Sequence, residues 1–344
     1  MNRSQASAEQ LAFYDRIDQH DMAPLWEVLK GLLPQEPKSP CVPAHWRWET
    51  TRPHLLEAGR LIGAKEAERR VLVLENPALR GRSCITQTLY AGLQLILPGE
   101  IAPSHRHTAT AVRLILEGTG GYTTVDGERT PMHRGDFIIT PSWSYHDHGN
   151  DGAGAVIWLD GLDVPLVRFF DAGFSQQYPE DVQPLTKPYD DSLACIGPGV
   201  MVDSGEPVAK RNPLFRYPYE EVRSKLHRLH LHGHVHRAHG VRLRYINPAT
   251  GGWPTLTMAA WMHLLPTDFA GDAVRRTDAT VFCVVEGEGR TQVGEREVEW
   301  APGDVFVAPS WTAVAHRADR GAVLFAMSDR PVQEAAGIWR EVAA

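Results

Sequence analysis

The stretch Pro103-Ser104-His105-Arg106-His107 is answered by Pro141-Ser142-Trp143-Ser144-Tyr145-His146. Histidines at i and i+2 of an extended segment project from the same face of a strand. His146 follows the run Gly135-Asp136-Phe137-Ile138-Ile139-Thr140-Pro141, which reads as a turn, a short apolar strand and a second turn. In a small β-barrel that strand end meets the His105–His107 face, and three converging neutral imidazoles make a metal site. Ordinary half-buried histidines are the competing reading; the paired spacing and the flanking turn residues favour the metal. From Thr86 to Leu159 short apolar segments alternate with Gly, Pro and Asp turns, the pattern of a β-sandwich or barrel.

The block occurs twice. Leu116-Glu117-Gly118-Thr119-Gly120 recurs as Val285-Glu286-Gly287-Glu288-Gly289, Gly135-Asp136-Phe137 as Gly303-Asp304-Val305, and Pro141-Ser142-Trp143 as Pro309-Ser310-Trp311. The order is kept and the register is nearly constant, which marks a tandem duplication. The expected organisation is a helical arm over residues 1–70, a catalytic barrel over 71–175, a Pro-rich linker over 176–240 with a helix near Tyr219 to Leu231, and a second barrel over 241–344. Within the arm, helical periodicity runs from Ala6 to Leu33 and again from Leu55 to Arg70.

Composition narrows the function. Hydrophobic residues at 43% and charged residues at 22% are ordinary for a globular protein. A net charge of -7 and a pI near 6.1 argue against a nucleic-acid partner. No apolar run approaches the roughly 20 residues that cross a bilayer, so no membrane partner is expected. The polar start, Met1 to Gln10, is not a secretory signal, and Cys41, Cys84, Cys195 and Cys283 lie far apart without a CxxC pair. Together these predict a cytoplasmic protein with reduced thiols.

The first copy resembles the cupin double motif: Gly99, five residues, His105-Arg106-His107; then Gly135, five residues, Pro141, and His146 followed by Asn150, with Trp143 where the general motif has Gly. The flanks Met22-Ala23-Pro24-Leu25-Trp26-Glu27-Val28-Leu29, Glu68-Arg69-Arg70-Val71-Leu72, Thr88-Leu89-Tyr90-Ala91-Gly92-Leu93-Gln94, Asn247-Pro248-Ala249-Thr250-Gly251-Gly252 and Ser328-Asp329-Arg330-Pro331-Val332 resemble gentisate 1,2-dioxygenase. The likeness runs from about residue 12 to 340. It implies a mostly β bicupin of two double-stranded β-helix (jelly-roll) barrels. It also implies one Fe(II) per chain in the N-terminal cupin, on His105, His107 and His146, and a homotetramer. The reaction implied is O2-dependent cleavage of gentisate between its carboxyl- and hydroxyl-bearing carbons to give maleylpyruvate. Salicylate and 1-hydroxy-2-naphthoate dioxygenases are the near relatives, so those substrates stand as alternatives.

The residues suit that chemistry. The general motif supplies a Glu three or four residues after the second His; here Ala111, Val112 and Arg113 occupy the stretch. Three neutral ligands leave the divalent charge uncompensated, and Arg113 adds to it, which favours an anionic chelating ligand such as a small aromatic carboxylate. The resemblance assigns Arg113 to the substrate carboxylate and Gln94 and Asp160 to the pocket. His148, two residues past His146 on the same strand face, is placed to hydrogen-bond substrate or O2. Tyr90 and Trp143 are aromatic-wall candidates, and Arg69 and Arg82 are candidates to close over the carboxylate. The blander alternatives are a solvent-facing Arg113, a surface His148 beside a turn, an Asp160 capping backbone amides and arginines exposed on a surface helix. Arg113 faces inward by parity with His107 only if no turn intervenes at Thr108-Ala109.

The second copy has lost its ligands. Val274 and Arg276 stand where His105 and His107 do, Val314 opposes His146, and His316 survives opposite His148 without partners. The tract of His227, His230, His232, His234, His236 and His239 reads as a solvated linker segment that binds metal adventitiously. Two other classes remain open on the residues alone: a non-catalytic bicupin that binds a small anion, and a Zn(II) isomerase or hydrolase.

Overall fold

A computed structural model describes residues 6–197, 200–202 and 211–344. The chain forms two compact units, Met1–Lys38 and Ser39–Ala344. In the first, Ala8–Asp18 and Leu25–Leu32 are helices; Ser7 and Gln10 cap the former reciprocally, and the Trp26 indole donates to the Tyr14 hydroxyl at 3.0 Å. The single periodic run from Ala6 to Leu33 is thus broken before Pro24, which precedes the second helix.

The second unit contains both expected barrels. In spatial order one sheet of the first barrel is Arg216–Tyr217, Phe137–Thr140, Ala111–Glu117, Val156–Leu162, Tyr90–Ile96 and Val71–Val73; the other is Ser175–Gln177, Ile101–His107, His146–Asn150, Gly121–Val125 and Glu128–Pro131. The second barrel repeats this with Ala44–Trp46, Val305–Ala308, Thr280–Glu286, Ala322–Ser328, Ala259–Leu265 and Val241–Arg244, over Arg296–Trp300, Gly289–Val293, Val314–Ala318, Val274–Arg276 and Glu341–Ala343. The central strands read as continuous apolar runs because both of their faces are buried. One face lines its own barrel. The other packs barrel to barrel, with Leu93, Leu95, Leu114 and Leu159 in one core with Met262, Leu264, Phe325 and Met327.

The 1–70 segment is more than a helical arm. Its strand Ala44–Trp46 pairs with Val305–Ala308 and completes the second barrel, while Arg216–Tyr217 in the linker pairs with Phe137–Thr140 and completes the first. Each strand leads into a helix, Trp48–Leu61 or Tyr219–Leu231, anchored the same way. Asp304 accepts from the Trp48 amide at 2.7 Å, and Asp136 accepts from the Tyr219 amide at 2.9 Å. The aromatic rings of Trp48 and Tyr219 lie where a side chain on Gly303 or Gly135 would stand, and both glycines have φ of +87°. Arg52 forks onto Glu117 at 2.5 and 2.6 Å, and Arg223 reaches Glu286 at 2.8 Å. The recurring Gly-Asp and Glu-Gly motifs are therefore receptors for swapped helices. That role is independent of the metal.

The histidine tract is solvated at His227, His232, His234 and His236, as expected, and departs from that reading at His239. His227 and His230 lie on the helix Tyr219–Leu231, and His239 is buried beside Glu341, its Nε2 3.8 Å from the carboxylate. Among the described residues no helix is long and apolar enough to cross a membrane, and all four cysteines are free.

A swapped polar contact also recurs, with one defect. Asp163 accepts from the Thr110 amide at 2.8 Å and from Thr257 Oγ1 at 2.5 Å. Its counterpart Asp329 accepts from Thr88 Oγ1 at 2.9 Å and Gln333 Nε2 at 3.2 Å, but its Oδ1, like Oδ2 of Asp278, is buried without a hydrogen bond. Burial, then the Asp278 charge, pushes the Asp329 carboxyl up to about 6 from 3.8. A raised carboxyl binds its proton more tightly folded than unfolded, so stability is highest below the unfolded value and falls as pH rises through the folded one. Asp329→Asn is expected to add about 1–2 kcal/mol near neutral pH and nothing near the unfolded carboxyl value. Urea denaturation at the two pH values measures this; an equal effect at both contradicts it.

Candidate active site

His105 and His146 face each other across the antiparallel strands Ile101–His107 and His146–Asn150, past a register shift between Ala102 and His105. His107 completes the group. The candidate ligand nitrogens all lie within 4.8 Å of one another, and this is the one such group of three among the described residues. Ring centroids are 4.6 Å apart for His105–His146, 4.9 Å for His107–His146 and 5.2 Å for His105–His107.

The rings are aimed by backbone carbonyls. His107 Nδ1 is 2.7 Å from the Ala109 oxygen and His146 Nδ1 is 3.0 Å from the Ser144 oxygen. Donation there fixes the proton on Nδ1 and leaves Nε2 as a lone pair, the usual second-layer arrangement for imidazole ligands. Burial, reinforced by Arg69, holds His105 down to about 3; burial, then Arg113, holds His146 well below its ordinary value. Burial lowers His107 as well, against the opposing pull of the Ala109 carbonyl. Three desolvated, neutral nitrogen donors fit a borderline divalent metal and leave no negative charge in its ligand set.

Arg113 faces this group by a different route from the one parity suggested. The strand ends at His107, and Arg113 lies on Ala111–Glu117 in the opposite sheet, directly across from Asp160. It is 3% exposed; Nη1 donates to Thr140 Oγ1 at 2.6 Å, and Nε lies 3.1 Å from Asp160 Oδ1 without hydrogen-bond alignment. Asp160 also accepts from the Trp158 indole at 3.0 Å. Burial pushes its carboxyl up to about 6, opposed by the Arg113 charge. Tyr90, Gly92 and Gln94 alternate along the next strand, opposite Leu162, Asp160 and Trp158, so they share the inward face.

His148 is 1% exposed rather than a surface residue, and neither ring nitrogen has a hydrogen-bond partner. Its ring centroid is 5.7 Å from His146 and 5.3 Å from Trp158, and burial, then Arg113, holds it well below its ordinary value. The duplicate supplies a comparison. His316, which has no co-ligands, has its Nδ1 2.8 Å from Thr291 Oγ1, whereas Thr123 beside His148 donates to the Asp147 carbonyl at 3.2 Å. The first barrel leaves free the imidazole that the second one satisfies. An unpaired buried imidazole is costly unless a ligand meets it.

Of the two arginine candidates, the structure brings one to the group. Arg69 donates to the Pro103 carbonyl at 2.7 Å and to the Glu68 carbonyl at 3.0 Å; burial, then Arg113, pushes its guanidinium down to about 10. Arg82 is exposed after the turn Pro77–Leu79, where its carbonyl accepts from Arg168 at 3.1 Å. Its charge does not figure among those acting on the histidines. Trp143 is also displaced from the inner wall. With φ of +64° it turns outward, 4.4 Å from the Arg106 guanidinium and 4.5 Å from the Phe174 ring. Arg106 alternates with His105 and His107, so Trp143 braces that strand from its far face. Sequence reasoning missed Thr140 and Val71. Val71 pairs with Gln94, and its Cγ1 occupies the space a side chain on Gly92 would need; only the register reveals it.

In the second barrel Val274 faces Val314 as His105 faces His146. The same registers put Phe282 and Ala326 where Arg113 and Asp160 stand, and Trp261 at the place of Gly92. Trp261, Phe282, Phe306 and Trp300 fill that interior with one apolar cluster.

Comparisons with known proteins agree with this architecture. Residues 92–162 match the cupin domain family. The chain is 48% identical to gentisate 1,2 dioxygenase 1 of Aquipseudomonas alcaligenes over 97% of its own length and 96% of the relative's. It superposes on the crystal structure of a salicylate 1,2-dioxygenase from Pseudaminobacter salicylatoxidans with a TM-score of 0.93 at 33% identity, covering 98% of this chain and 99% of that one. A second crystal structure of that enzyme, an adduct with gentisate, matches with the same TM-score over 98% and 95% of the two chains. Barrels, triad and full-length similarity lead to one assignment: the chain belongs to the gentisate 1,2-dioxygenase family of bicupin ring-cleaving dioxygenases.

Proposed function

We propose that the chain is an Fe(II)-dependent gentisate 1,2-dioxygenase, cleaving the ring of 2,5-dihydroxybenzoate with O2 between its carboxyl- and hydroxyl-bearing carbons to give maleylpyruvate. The observation that carries the reading is a neutral three-histidine group flanked by two cations, the buried Arg113 and the half-buried Arg69, with Asp160 the carboxylate beside them. His105, His107 and His146 would hold one iron per chain. When bound, Fe(II) supplies the chelating centre and the redox chemistry that let O2 react with an aromatic ring. Arg113 and Arg69 bind and orient the substrate carboxylate, and Asp160 with Thr140 fixes the Arg113 guanidinium. His148, neutral and with both nitrogens free, exchanges a hydrogen bond with the bound ring or with O2. Gln94, Tyr90, Val71 and Trp158 shape the wall, with Val71 packed over the bare backbone of Gly92.

Anaerobic reconstitution with Fe(II), followed by oxygen uptake on gentisate, salicylate and 1-hydroxy-2-naphthoate, tests the proposal. Uptake is expected with gentisate first and is not expected from protein loaded with Zn(II). Absence of uptake with every hydroxyarene carboxylate would instead favour an anion-binding bicupin, in which His105→Ala keeps full binding. The second reading within the family is a salicylate 1,2-dioxygenase, favoured by the superposition on that enzyme. Homotetramer formation is supported by Leu25, Trp26, Val28 and Leu29, which one helix leaves exposed, and sedimentation measures it. A cytoplasmic location fits the four free thiols.

A further inference from the structure

The aim of His107, a proposed metal ligand, rests on a single peptide group. Its Nδ1 donates to the Ala109 carbonyl at 2.7 Å, and the N–H of that same peptide, the Thr110 amide, donates to Asp163 Oδ1 at 2.8 Å. A peptide is planar and stiff, so a bond at its N–H fixes the direction of its C=O. An anion on the N–H side also polarises the carbonyl and makes it the stronger acceptor. Asp163 is 2% exposed and stands at the N-cap of the helix Val164–Phe169, yet its side chain makes no capping bond. Its other oxygen receives Thr257 Oγ1 at 2.5 Å, and Thr257 belongs to the second barrel, just before the strand Ala259–Leu265. Burial raises the Asp163 carboxyl, and the bonds from Thr257 and Thr110 oppose that, as donors to a carboxylate do.

The duplicate separates this arrangement from barrel-to-barrel packing. Ala111 pairs with Leu162 as Thr280 pairs with Ser328, so Asp329 is the counterpart of Asp163, and the Asp278–Ala279 peptide that of Ala109–Thr110. Asp329 keeps the cross-barrel bond, accepting from Thr88 Oγ1 at 2.9 Å. It does not make the other bond: its Oδ1 is buried without a hydrogen bond. Where Arg276 stands in place of the histidine, the carboxylate no longer holds the loop. Packing of the two barrels accounts for the threonine contact in both copies. Only the copy with an imidazole to direct has the peptide contact.

We infer that Asp163 is a positioning residue for the metal centre, fixing the direction and donor strength of His107 through the Ala109–Thr110 peptide. Thr257 holds Asp163 in turn, so the ligand-free second barrel helps to set the ligand geometry of the first. The inference rests on the reading of His107 as a ligand.

Titration of the metal-free, full-length protein with Co(II), followed by its visible absorption, tests this without turnover. Asp163→Ala is expected to weaken the tight Co(II) site by roughly 10–100-fold, the scale of outer-layer partners of ligand histidines. Asp163→Asn, which keeps an acceptor for the Thr110 amide without the charge, should fall between that variant and the parent, as should Thr257→Val. Thr88→Val is the control, because it removes the matching bond on the ligand-free side. It should lower the urea stability of the metal-free protein about as much as Thr257→Val and leave Co(II) affinity unchanged. His107→Ala, run in parallel, is expected to leave only the weak binding of the exposed histidine tract. If it keeps the tight site, the ligand assignment fails and the inference falls with it. If it loses the site while the Asp163 and Thr257 variants bind as the parent does, the inference alone is overturned. Equal weakening by Thr88→Val and Thr257→Val overturns it as well, since general loosening then explains both. Should Asp163→Ala not fold, Asp163→Asn and Thr257→Val decide by the same comparison.

Discussion

Replacing His146 by alanine is expected to remove iron and ring-cleaving turnover together. His146 is 1% exposed, its Nδ1 is committed to the Ser144 carbonyl, and its ring lies within 5 Å of both partners' rings. No side chain beside it can replace the lost donor: Asp147, its neighbour, is bound on the opposite side to Gln183. Two imidazoles from one strand cannot hold a facial site, and a loss on the order of 10³ or more in turnover is expected, since even outer-layer partners are worth 10–100-fold. The check is iron content against oxygen uptake. The exposed histidines of the 227–239 tract would inflate bulk metal counts, so His232→Ala serves as the control: it lowers total bound metal without lowering turnover. Full activity in His146→Ala would remove the triad from the mechanism.

What could be read beforehand, and what could not, follows from which interactions are local. The His105–His107 pair and the turns around it are encoded within a few residues, as is the duplication, and the register bears out Val274 and Val314 as replacements for two ligands. The edge strands were illegible. Ala44–Trp46 and Arg216–Tyr217 are too short for any periodicity, and their partners lie far along the chain. The Gly-Asp and Glu-Gly repeats marked the duplication but not why the second copy keeps them. They are kept because Asp304, Asp136, Glu117 and Glu286 receive the swapped helices, a constraint that outlasts the ligands. Trp143 shows the opposite limit. Its place in the motif is right, yet its left-handed backbone sends the indole to the far face, a direction that no spacing rule specifies. Arg113 reached the pocket although the parity argument for it failed where the strand ends at His107.

Arg113→Met carries the second large effect, and it separates two roles of one side chain. The first is structural. Removing the guanidinium strands Asp160 in the interior, and breaking a buried pair by deleting one partner typically costs about 3–5 kcal/mol. Asp160 can relieve part of this by taking a proton, because its carboxyl already stands at about 6 and rises further without Arg113. The folded protein then holds that proton more tightly than the unfolded chain, so the variant's deficit is smallest in mild acid and grows as pH rises through the shifted value. The second role is the substrate's. Without the cation, kcat/KM for gentisate is expected to fall by roughly 10²–10³, the scale of a lost charge-assisted contact in a desolvated site. Arg113→Lys should recover a fraction of this, since it restores the charge but not the fork held by Thr140 and Asp160. The decisive variant is Arg113→Met with Asp160→Asn. It removes the stranded carboxylate, so most of the stability should return, while turnover should stay low. Recovery of both would reduce Arg113 to a scaffold residue; recovery of stability alone identifies it as the group that meets the substrate carboxylate.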